Sequence, residues 1–399
     1  MLLPTRRQFL QSLAGGTAAP LLLPKRLTRQ SSARRPVLAY VGTYSQGSAT
    51  ARGKGIYIFE MDPESGALSA RDVFETPSNP SWLALDAART HLYSANGAGP
   101  GSVSAHAIDA VTGRLTLLNT VSSEGSGPAH MSLHRSGKYA FVANYEGGTS
   151  AVLPIQPNGE LAAATDVKRH EGKPGASQAS SAPPGSFAIS GHDRPHAHMI
   201  QSDPSGRFVF AADLGLDQIL VWKFDDRTGT LTPNDPPSVA VPTGDGPRHF
   251  VFHPNGRWFY SLQEEASTLI TFDYDAAKGT LNAKQTVSTL PKGFAGTSFT
   301  SEVMLSPDAR FLYAANRLHD SIAWFSVAPD GRLTFAGEEW TRGDYPRSFN
   351  IDPAGRFLFS CNQRSDAIAC FRITEKSGAL TFTGQYTAVG TPSHIVFVG

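Results

Sequence analysis

Residues 247–264 read PRHFVFHPNGRWFYSLQE, and this stretch decides the fold of the chain. A proline opens an apolar strand, a Pro-Asn-Gly-Arg turn follows, and a second apolar strand ends on a polar residue. Turn residues between two short runs of β-branched and aromatic residues predict an antiparallel hairpin. Related copies of this phrase occur six times, at residues 80–97, 128–145, 195–214, 247–264, 301–317 and 346–363.

Each copy is part of a longer unit. A third strand follows in each unit. A short motif of the type x-x-Gly-x-Leu, such as the one that includes Thr228–Leu231, then begins a fourth strand. A seventh unit is split, because residues 392–398 supply only a first strand whereas residues 37–45 begin at the second. A ring of repeats closes when the missing strand returns from the other end, and closure removes exposed strand edges. The sequence therefore predicts an all-β fold, a seven-bladed β-propeller over residues 37–399, closed by pairing of the C-terminal strand with the N-terminal blade.

One segment departs from the repeat. Residues 169–193 are rich in Ser, Gly, Pro and Ala and stand between the second and third copies. We expect a surface loop or lid here, without a domain boundary.

The N-terminus is typical of a targeting segment. Arg6 and Arg7 precede a mildly apolar run, Leu13 to Leu23, which is too short and too interrupted by Gly and Pro for a stable membrane span. Paired arginines before such a run predict that residues 1–36 are a twin-arginine-type export signal and linker, and that the protein is periplasmic. The alternative is a disordered basic tail on a cytoplasmic protein.

The overall charge limits the partners. Lys and Arg number 35 against 34 Asp and Glu, a net charge of +1, which leaves no field to hold nucleic acid or an anionic membrane. We expect a monomer with neither partner after export. Cys361 and Cys370 cannot build a disulfide framework or a zinc site. They are either buried free thiols or a pair facing each other across one hairpin.

The repeats also locate a candidate site. In a meander the start of the first strand and the end of the second lie on the same rim, so the residues at these two slots can be compared from blade to blade. The first-strand slot holds Ser81, Ala129, His198, Arg248, Ser301 and Arg347. The second-strand slot holds Tyr44, Gly97, Tyr145, Leu214, Glu264, Arg317 and Gln363. Most are small or neutral, and the titratable exceptions are His198, Arg248, Glu264, Arg317 and Arg347.

A base, a carboxylate and several guanidinium groups on one side of a rim can bind an anionic substrate and move its protons. His196 shares a strand face with His198 and is a further candidate. Any single arginine could instead serve a structural ion pair. Glu264 ends an apolar strand, where an unpaired carboxylate would be costly, and this favours a functional role.

Other chemistries find little support. We expect His130, His249 and His394, one residue beyond the slots or their equivalent, to pack against the neighbouring blade. His196 and His198 lack the Cys or carboxylate partners of a metal site, so we assign no metal and no cofactor. Nucleophile-elbow, P-loop and zinc-protease motifs are missing from the sequence.

Several motifs together resemble one known family. The segments are YVGTY at 40–44, RPHAH at 194–198, GPRH at 246–249, Gln263-Glu264 and NRLHDSI at 316–322. They resemble the lactonase family of seven-bladed propellers, which includes the bacterial 6-phosphogluconolactonase of propeller type and the fungal carboxy-muconate cyclase. The resemblance implies hydrolysis or reversible closure of a lactone on an acidic substrate without metal. It also implies a site formed by His198 (or His196), Arg248, Arg317 and Glu264. The sequence departs from the family at Gln263-Glu264-Glu265, where members commonly have Asn-Glu-Leu.

The leading hypothesis is therefore a lactonase of the 6-phosphogluconolactonase type. Glu264 or His198 would deprotonate the attacking water, while Arg248 and Arg317 would stabilise the oxyanion and bind the substrate's anionic group. Further substrate contacts are expected from His196, Arg347, Tyr44 and Tyr145. The alternatives are an exported sugar lactonase or a muconate-type cyclase, and a non-catalytic propeller that binds a ligand or partner at the rim.

Overall fold

The computed structural model describes residues 36–46, 50–188 and 191–399. The predicted export signal and linker, residues 1–36, therefore lie outside the described residues except for Pro36. Seven four-stranded antiparallel sheets follow one another along the chain. Blade 1 begins with β1 (Val37–Thr43), β2 (Gly55–Met61) and β3 (Leu68–Glu75). Blade 2 consists of β4 (Pro80–Leu85), β5 (His91–Asn96), β6 (Ser102–Ile108) and β7 (Leu115–Ser122). Blade 3 consists of β8 (Pro128–Leu133), β9 (Tyr139–Asn144), β10 (Thr149–Pro154) and β11 (Asp166–Arg169).

The later blades repeat this arrangement after a two-residue strand, β12 (Ser186–Phe187). Blade 4 consists of β13 (Ala197–Ser202), β14 (Phe208–Asp213), β15 (Gln218–Asp225) and β16 (Thr230–Ala240). Blade 5 consists of β17 (Pro247–Phe252), β18 (Trp258–Gln263), β19 (Thr268–Asp275) and β20 (Thr280–Ser288), followed by the short β21 (Gly296–Thr297). Blade 6 consists of β22 (Phe299–Leu305), β23 (Phe311–Arg317), β24 (Ser321–Val327) and β25 (Leu333–Trp340). Blade 7 consists of β26 (Pro346–Ile351), β27 (Phe357–Asn362), β28 (Ala367–Ile373) and β29 (Leu380–Ala388).

The last strand, β30 (Pro392–Val398), completes blade 1 by pairing antiparallel with β1, with Tyr40 opposite Val396. The first strands β30, β4, β8, β13, β17, β22 and β26 each contact the next, and β26 contacts β30, so they form a closed ring around one axis. This confirms the predicted seven-bladed propeller and its closure by the C-terminal strand.

The repeated turn explains why each hairpin forms. In blade 7 the Asp352 carboxylate accepts hydrogen bonds from the backbone N–H groups of Arg356 and Phe357, both at 2.6 Å, which fixes the reversal between β26 and β27. Gly256 in blade 5 has a φ of 70°, a left-handed conformation that glycine adopts without steric cost. The Pro-x-Gly-Arg phrase thus encodes the turn directly.

The hydrophobic core is divided among the interfaces between neighbouring blades. At the interface of blades 4 and 5, Phe210, Phe250 and Phe259 belong to one buried cluster, and the Phe250 and Phe259 rings stack at 4.8 Å. Phe359 of blade 7 lies 5.1 Å from Phe397 of β30. A buried phenylalanine contributes about 2–3 kcal/mol, so each blade is stable mainly because its neighbours cover it.

The two cysteines are buried free thiols. They lie on the paired strands β27 and β28, but Cys361 is opposite Ile368 and Cys370 is opposite Phe359. The alternative in which they face each other across the hairpin is therefore wrong, because the register separates them by two positions.

Residues 36–399 form one compact unit, which includes the 169–193 insertion. Contacts that attach the insertion to the blades include the parallel pairing of β12 with β21, the 3.0 Å contact of His192 Nε2 with the Asp217 carboxylate, and hydrogen bonds from Ser181 to Asp245. Among the described residues there is no helix with the length and apolarity that a membrane span requires.

Candidate functional site

A cavity of about 450 Å³ lies at the rim where the first strands begin and the second strands end. All seven blades contribute to its wall. The lining residues are Tyr44, Ser81, Gly97, Gly127, Pro128, Ala129, Tyr145, Glu146, His198, Glu264, Arg317, Tyr345, Arg347 and Gln363. The comparison of slots therefore identified most of this wall from the sequence, including four of its charged or titratable members.

The first-strand slots share a backbone feature. In each first strand the pairing with the second strand shifts by one residue at the slot, for example between Pro247 and His249 and between Pro346 and Ser348. A β-bulge of this kind leaves one residue unpaired and re-aims its side chain. The bulges of blades 2–5 and 7 carry Ser81, Ala129, His198, Arg248 and Arg347. The bulge is thus the device that directs the slot residues away from the sheet.

Glu264 is held between two arginines. Its Oε1 lies 2.8 Å from Arg317 Nη2, and its Oε2 lies 2.8 Å from Arg248 Nε. The carboxylate is 7% exposed and Arg248 is 1% exposed. Both oxygens of Glu264 therefore have a cationic partner, which offsets the cost of burying the carboxylate at the end of an apolar strand.

Arg248 differs from its predicted placement. It does not line the cavity, because its bulge turns it behind Glu264, where it is the largest fully buried side chain described. Its Nη1 donates to His249 Nε2 at 3.3 Å. It can act on a substrate through Glu264 but not by direct contact with a molecule in the cavity.

Arg317 and Arg347 present the guanidinium groups of the cavity wall. Arg317 donates to the Thr300 carbonyl at 2.8 Å and to the Tyr345 hydroxyl at 3.2 Å, in addition to its ion pair with Glu264. Arg347 Nε donates to the Tyr44 hydroxyl at 3.1 Å, and no carboxylate of the described residues forms an ion pair with it. Burial acts to raise the pKa of Tyr44, but Arg347, with smaller contributions from Ser393 and Arg317, lowers it on balance. Arg347 is thus a cation with room for an anionic ligand.

His198 lines the cavity as a neutral imidazole. Burial, and after it the neighbouring His249, Arg347 and Arg317, hold the pKa of His198 well below its usual value. Its Nδ1 is buried and has no hydrogen-bond partner in residues 36–46, 50–188 and 191–399, and the ring meets Tyr145 edge-on at 5.4 Å. Nε2 is therefore the ring nitrogen available to a molecule in the cavity.

His196 lies one layer behind the cavity. Its ring stacks on Tyr145 at 4.3 Å, its Nε2 lies 2.7 Å from Asp193, and its Nδ1 lies 3.0 Å from the Tyr145 carbonyl. Both ring nitrogens are thus engaged. Burial, and secondarily the Glu264 carboxylate, raise the pKa of Tyr145, which remains a phenol donor at the wall. His196 supports Tyr145 and does not itself reach the cavity.

Three further histidines, His130, His249 and His394, pack against neighbouring blades, as predicted. His394 Nδ1 accepts from the Leu83 N–H at 3.2 Å, and His130 Nδ1 accepts from the Ile200 N–H at 3.5 Å. His249 Nδ1 instead lies 2.9 Å from Glu302 on β22. Among the described residues, no group of three or more His, Cys, Asp or Glu side chains is arranged to hold a metal ion.

The comparisons with known proteins agree with this geometry. The family model described as "Lactonase, 7-bladed beta-propeller" matches residues 38–397. The chain belongs to the lactonase family of seven-bladed β-propellers. It is 36% identical to the 6-phosphogluconolactonase of Bacillus subtilis over 318 residues, which cover 79% of this chain and 85% of that protein. It is 31% identical to the 6-phosphogluconolactonase of Serratia proteamaculans over 339 residues, 85% of this chain and 94% of the other.

A solved structure of the same fold comes from Pseudomonas aeruginosa. The chain superimposes on its periplasmic gluconolactonase with a TM-score of 0.81 and 32% identity, covering 91% of this chain and 99% of the other. The fold and enzyme class expected from the sequence, a lactone-hydrolysing propeller, are confirmed by the family match and these relatives.

The comparison of slots in the sequence did not identify three residues in or near this lactonase-family site. Tyr345 stands one residue before the first strand of blade 7, with a φ of 63° that points it back to Arg317. Glu146 follows the Tyr145 slot and pairs with Arg194 at the exposed rim. Glu302 follows the Ser301 slot and lies buried near the ring axis. Proximity to a slot was the only sequence signal for these three residues.

Proposed function

We propose that this lactonase hydrolyses an anionic sugar-acid lactone of the 6-phosphogluconolactone type. The supporting observation is the arrangement of Arg347 and His198 on one cavity wall. Within the described part of the chain, the first is a guanidinium without a carboxylate partner and the second is a neutral imidazole without a partner at Nδ1. The first fits a phosphate or carboxylate, and the second fits a water or hydroxyl that must lose a proton.

His198 is the better general base. Glu264 has a guanidinium against each oxygen, so neither oxygen can approach a water molecule without giving up an ion pair. His198 is neutral because burial disfavours the imidazolium, so its Nε2 lone pair is available at neutral pH. A low pKa limits its strength as a base, but hydrolysis of a strained ester requires only modest help.

The proposed reaction has two steps. In the first, His198 Nε2 takes a proton from water while the water oxygen bonds to the lactone carbonyl carbon, giving a tetrahedral oxyanion that Arg317 stabilises. In the second, the bond from that carbon to the ring oxygen breaks, and the leaving oxygen takes the proton back from His198. The product is the open hydroxy acid. Arg347 and Tyr44 bind the anionic group throughout, and Arg248 and Glu264 fix the position of Arg317.

A second candidate is favoured by a specific observation. The Pseudomonas aeruginosa relative is described as a periplasmic gluconolactonase, and Arg6-Arg7 precede an apolar run in this chain. An exported enzyme acting on an unphosphorylated aldonolactone would satisfy both. In that case the cation at Arg347 would bind the carboxylate of the released sugar acid or contribute little.

The test is a panel of δ- and γ-lactones, phosphorylated, carboxylated and neutral, assayed by acid release with wild type, His198→Asn and Glu264→Gln. If His198 is the base, His198→Asn lowers kcat on the order of 10²–10⁴-fold on the preferred lactone. His253→Asn, the same change in the surface turn of blade 5, is the matched control. Activity of His198→Asn near the wild-type level would remove His198 from the mechanism. Absence of turnover on every lactone with wild type would contradict the proposed function.

We also propose export to the periplasm. Replacing Arg6 and Arg7 together by lysine should leave the protein in the cytoplasm, because the export machinery reads the arginine pair and not its charge. Fractionation of cells producing each form measures this. Unchanged periplasmic delivery of the lysine form would contradict twin-arginine export.

A further inference from the structure

The ring axis holds a second cluster of titratable groups. Five side chains, each one residue beyond a slot or its equivalent, meet there: Trp82, His130, His249, Glu302 and His394. We call them the axis cluster. The Trp82 ring lies 3.8 Å from His394, 4.4 Å from His130 and 5.2 Å from His249. The cluster adjoins the cavity because the His198 and His249 rings are 5.0 Å apart.

One chain of polar contacts runs from this cluster to the cavity carboxylate. Glu302 Oε1 lies 2.9 Å from His249 Nδ1, His249 Nε2 lies 3.3 Å from Arg248 Nη1, and Arg248 Nε lies 2.8 Å from Glu264 Oε2. Glu264 Oε1 then contacts Arg317, which faces the cavity. This chain of contacts crosses blades 5 and 6 and connects the buried carboxyl of Glu302 with Arg317, the cation proposed to stabilise the oxyanion.

The donors in this chain fix one tautomer of His249. A guanidinium can only donate hydrogen bonds, so His249 Nε2 must be the acceptor toward Arg248 and must carry no proton. The proton therefore resides on Nδ1, which donates to Glu302 Oε1. The opposite tautomer would turn an N–H toward the Arg248 N–H and repel it. Burial, and then the nearby Arg317, lower the pKa of His249 to about 3, so the doubly protonated form is excluded at neutral pH.

Glu302 supplies the acceptor that this tautomer requires at Nδ1. It is 5% exposed, and its Oε1 also accepts from the Val303 N–H at 3.1 Å, which orients that oxygen. Its Oε2 is buried and has no hydrogen-bond partner among the described residues. Without an acceptor at this place, the Nδ1–H of His249 would lose its partner and the two neutral tautomers would compete.

We propose that Glu302 and His249 are positioning residues for the lactonase reaction: they hold Arg248 on Glu264 and thereby the geometry of Arg317 at the cavity. This inference rests on the proposed function for its catalytic consequence. Glu302 and His249 touch no substrate, and their effect passes through Arg248. A misplacement of about 1 Å at the reacting centre can cost on the order of 10²-fold in rate.

The kinetic test is a double-mutant cycle. Glu302→Leu removes the acceptor at similar volume and should lower kcat about 10- to 100-fold with KM changed less than about threefold. Glu302→Gln keeps an acceptor oxygen and should restore kcat to within about threefold of wild type. In an Arg248→Met background, Glu302→Leu should have little further effect, because groups acting as one unit are not additive. His130→Asn, in the same cluster but outside the chain of contacts, is the control.

Two kinetic results would overturn the inference: wild-type kcat in Glu302→Leu, or losses that multiply in the double variant. A general loss of packing would lower the melting temperature of Glu302→Leu and Glu302→Gln alike and would not be rescued by glutamine.

A second measurement does not depend on activity. In ¹⁵N-histidine NMR, with His249→Gln used to assign the resonance, His249 should be the neutral Nδ1–H tautomer in wild type and Glu302→Gln. Glu302→Leu should show a mixture or the other tautomer. An Nε2–H tautomer in wild type would overturn the inference. If wild type hydrolyses no lactone but the tautomer is as stated, the proposed function fails while the arrangement at the axis stands.

Discussion

Glu264 and Glu302 are two carboxyl groups of adjoining blades at nearly equal depth, 7% and 5% exposed, yet their surroundings are opposite. Glu264 has an arginine on each oxygen. Glu302 faces a neutral imidazole and a backbone N–H, and burial raises its pKa to about 8. Two carboxyl groups at the same depth therefore differ in electrostatic environment because of their partners and not because of burial.

The difference extends to their neighbours. Around Glu264 the cavity wall is built from ions that compensate one another. The axis cluster is kept neutral: burial lowers the pKa of His394 to about 4 and that of His249 to about 3. The charged groups at the rim therefore adjoin an uncharged centre, and four experiments test this contrast.

The largest expected effect is acid unfolding. Five buried histidines have a pKa lowered chiefly by burial: His106, His130, His198, His249 and His394. The pKa of the partly exposed His253 is lowered by the same cause. Unfolded histidines titrate near 6.5, so below that pH the unfolded chain binds protons that the folded one refuses, and stability falls as pH falls. Glu302 acts in the opposite direction but is one group against five. The free energy of unfolding should drop by at least about 4 kcal/mol from pH 7 to pH 5.

Urea unfolding followed by tryptophan fluorescence at both pH values measures this drop. His394→Asn removes one of the five groups and should shrink the drop by about 2 kcal/mol. A drop that is the same in wild type and variant would contradict a neutral axis cluster.

Next in size is the loss of charge at Glu264. Glu264→Gln leaves Arg248 and Arg317 buried without their shared anion, so we expect a loss of about 3–5 kcal/mol in the free energy of unfolding at pH 7. Urea unfolding followed by tryptophan fluorescence at pH 7 measures this loss. A loss below about 1 kcal/mol would show that water or other groups already compensate the two guanidiniums.

The matching change at Glu302 should have the opposite sign at alkaline pH. The folded-state pKa of Glu302, about 8, lies above its unfolded value, so the stability it confers falls as pH rises from about 4.5 to 8. Glu302→Gln does not titrate, and between pH 5 and pH 8 it should gain about 3 kcal/mol relative to wild type. The groups facing Glu302 are His249, His394 and the Cys361 thiol, whose own pKa is raised to about 12. If the free energies of unfolding of variant and wild type change in parallel with pH, the titration belongs to a group other than Glu302.

The smallest effect is expected at Arg347. Arg347→Lys keeps a charge but loses the planar fork and the Nε donor to Tyr44, so KM for an anionic lactone should rise about 10-fold with kcat within about threefold. KM for a neutral lactone should not change. Arg310→Lys, on an exposed turn of blade 6, is the control. An equal rise for neutral and anionic lactones would remove Arg347 from anion binding.

The sequence predicted the ring and the wall of the cavity because both depend on local patterns. The conformation of a Pro-x-Gly-Arg turn depends on its own few residues. The number of residues between a side chain and that turn determines on which rim of the ring the side chain lies. The burial of a slot residue could not be predicted from such patterns. Arg248 and Arg347 occupy the same slot, yet Arg248 is buried behind Glu264 and Arg347 lines the cavity. Their difference arises from which blades flank them, since Arg248 meets His249 and Glu264 whereas Arg347 meets Tyr44. Contacts between blades are not encoded by spacing along the chain.

The pairing of β30 with β1 makes the starting point of the chain arbitrary with respect to the ring. Leu38 lies opposite Val398, so the two ends of the propeller are neighbours in one sheet. A short linker from Gly399 to Pro36 would give a continuous cycle of twenty-eight blade strands that could be cut in any exposed turn. A circularly permuted chain opened in such a turn, for example at Gly256, would present every blade in the same order around the axis. The order of strands in space, and not their order in translation, is what the cavity requires.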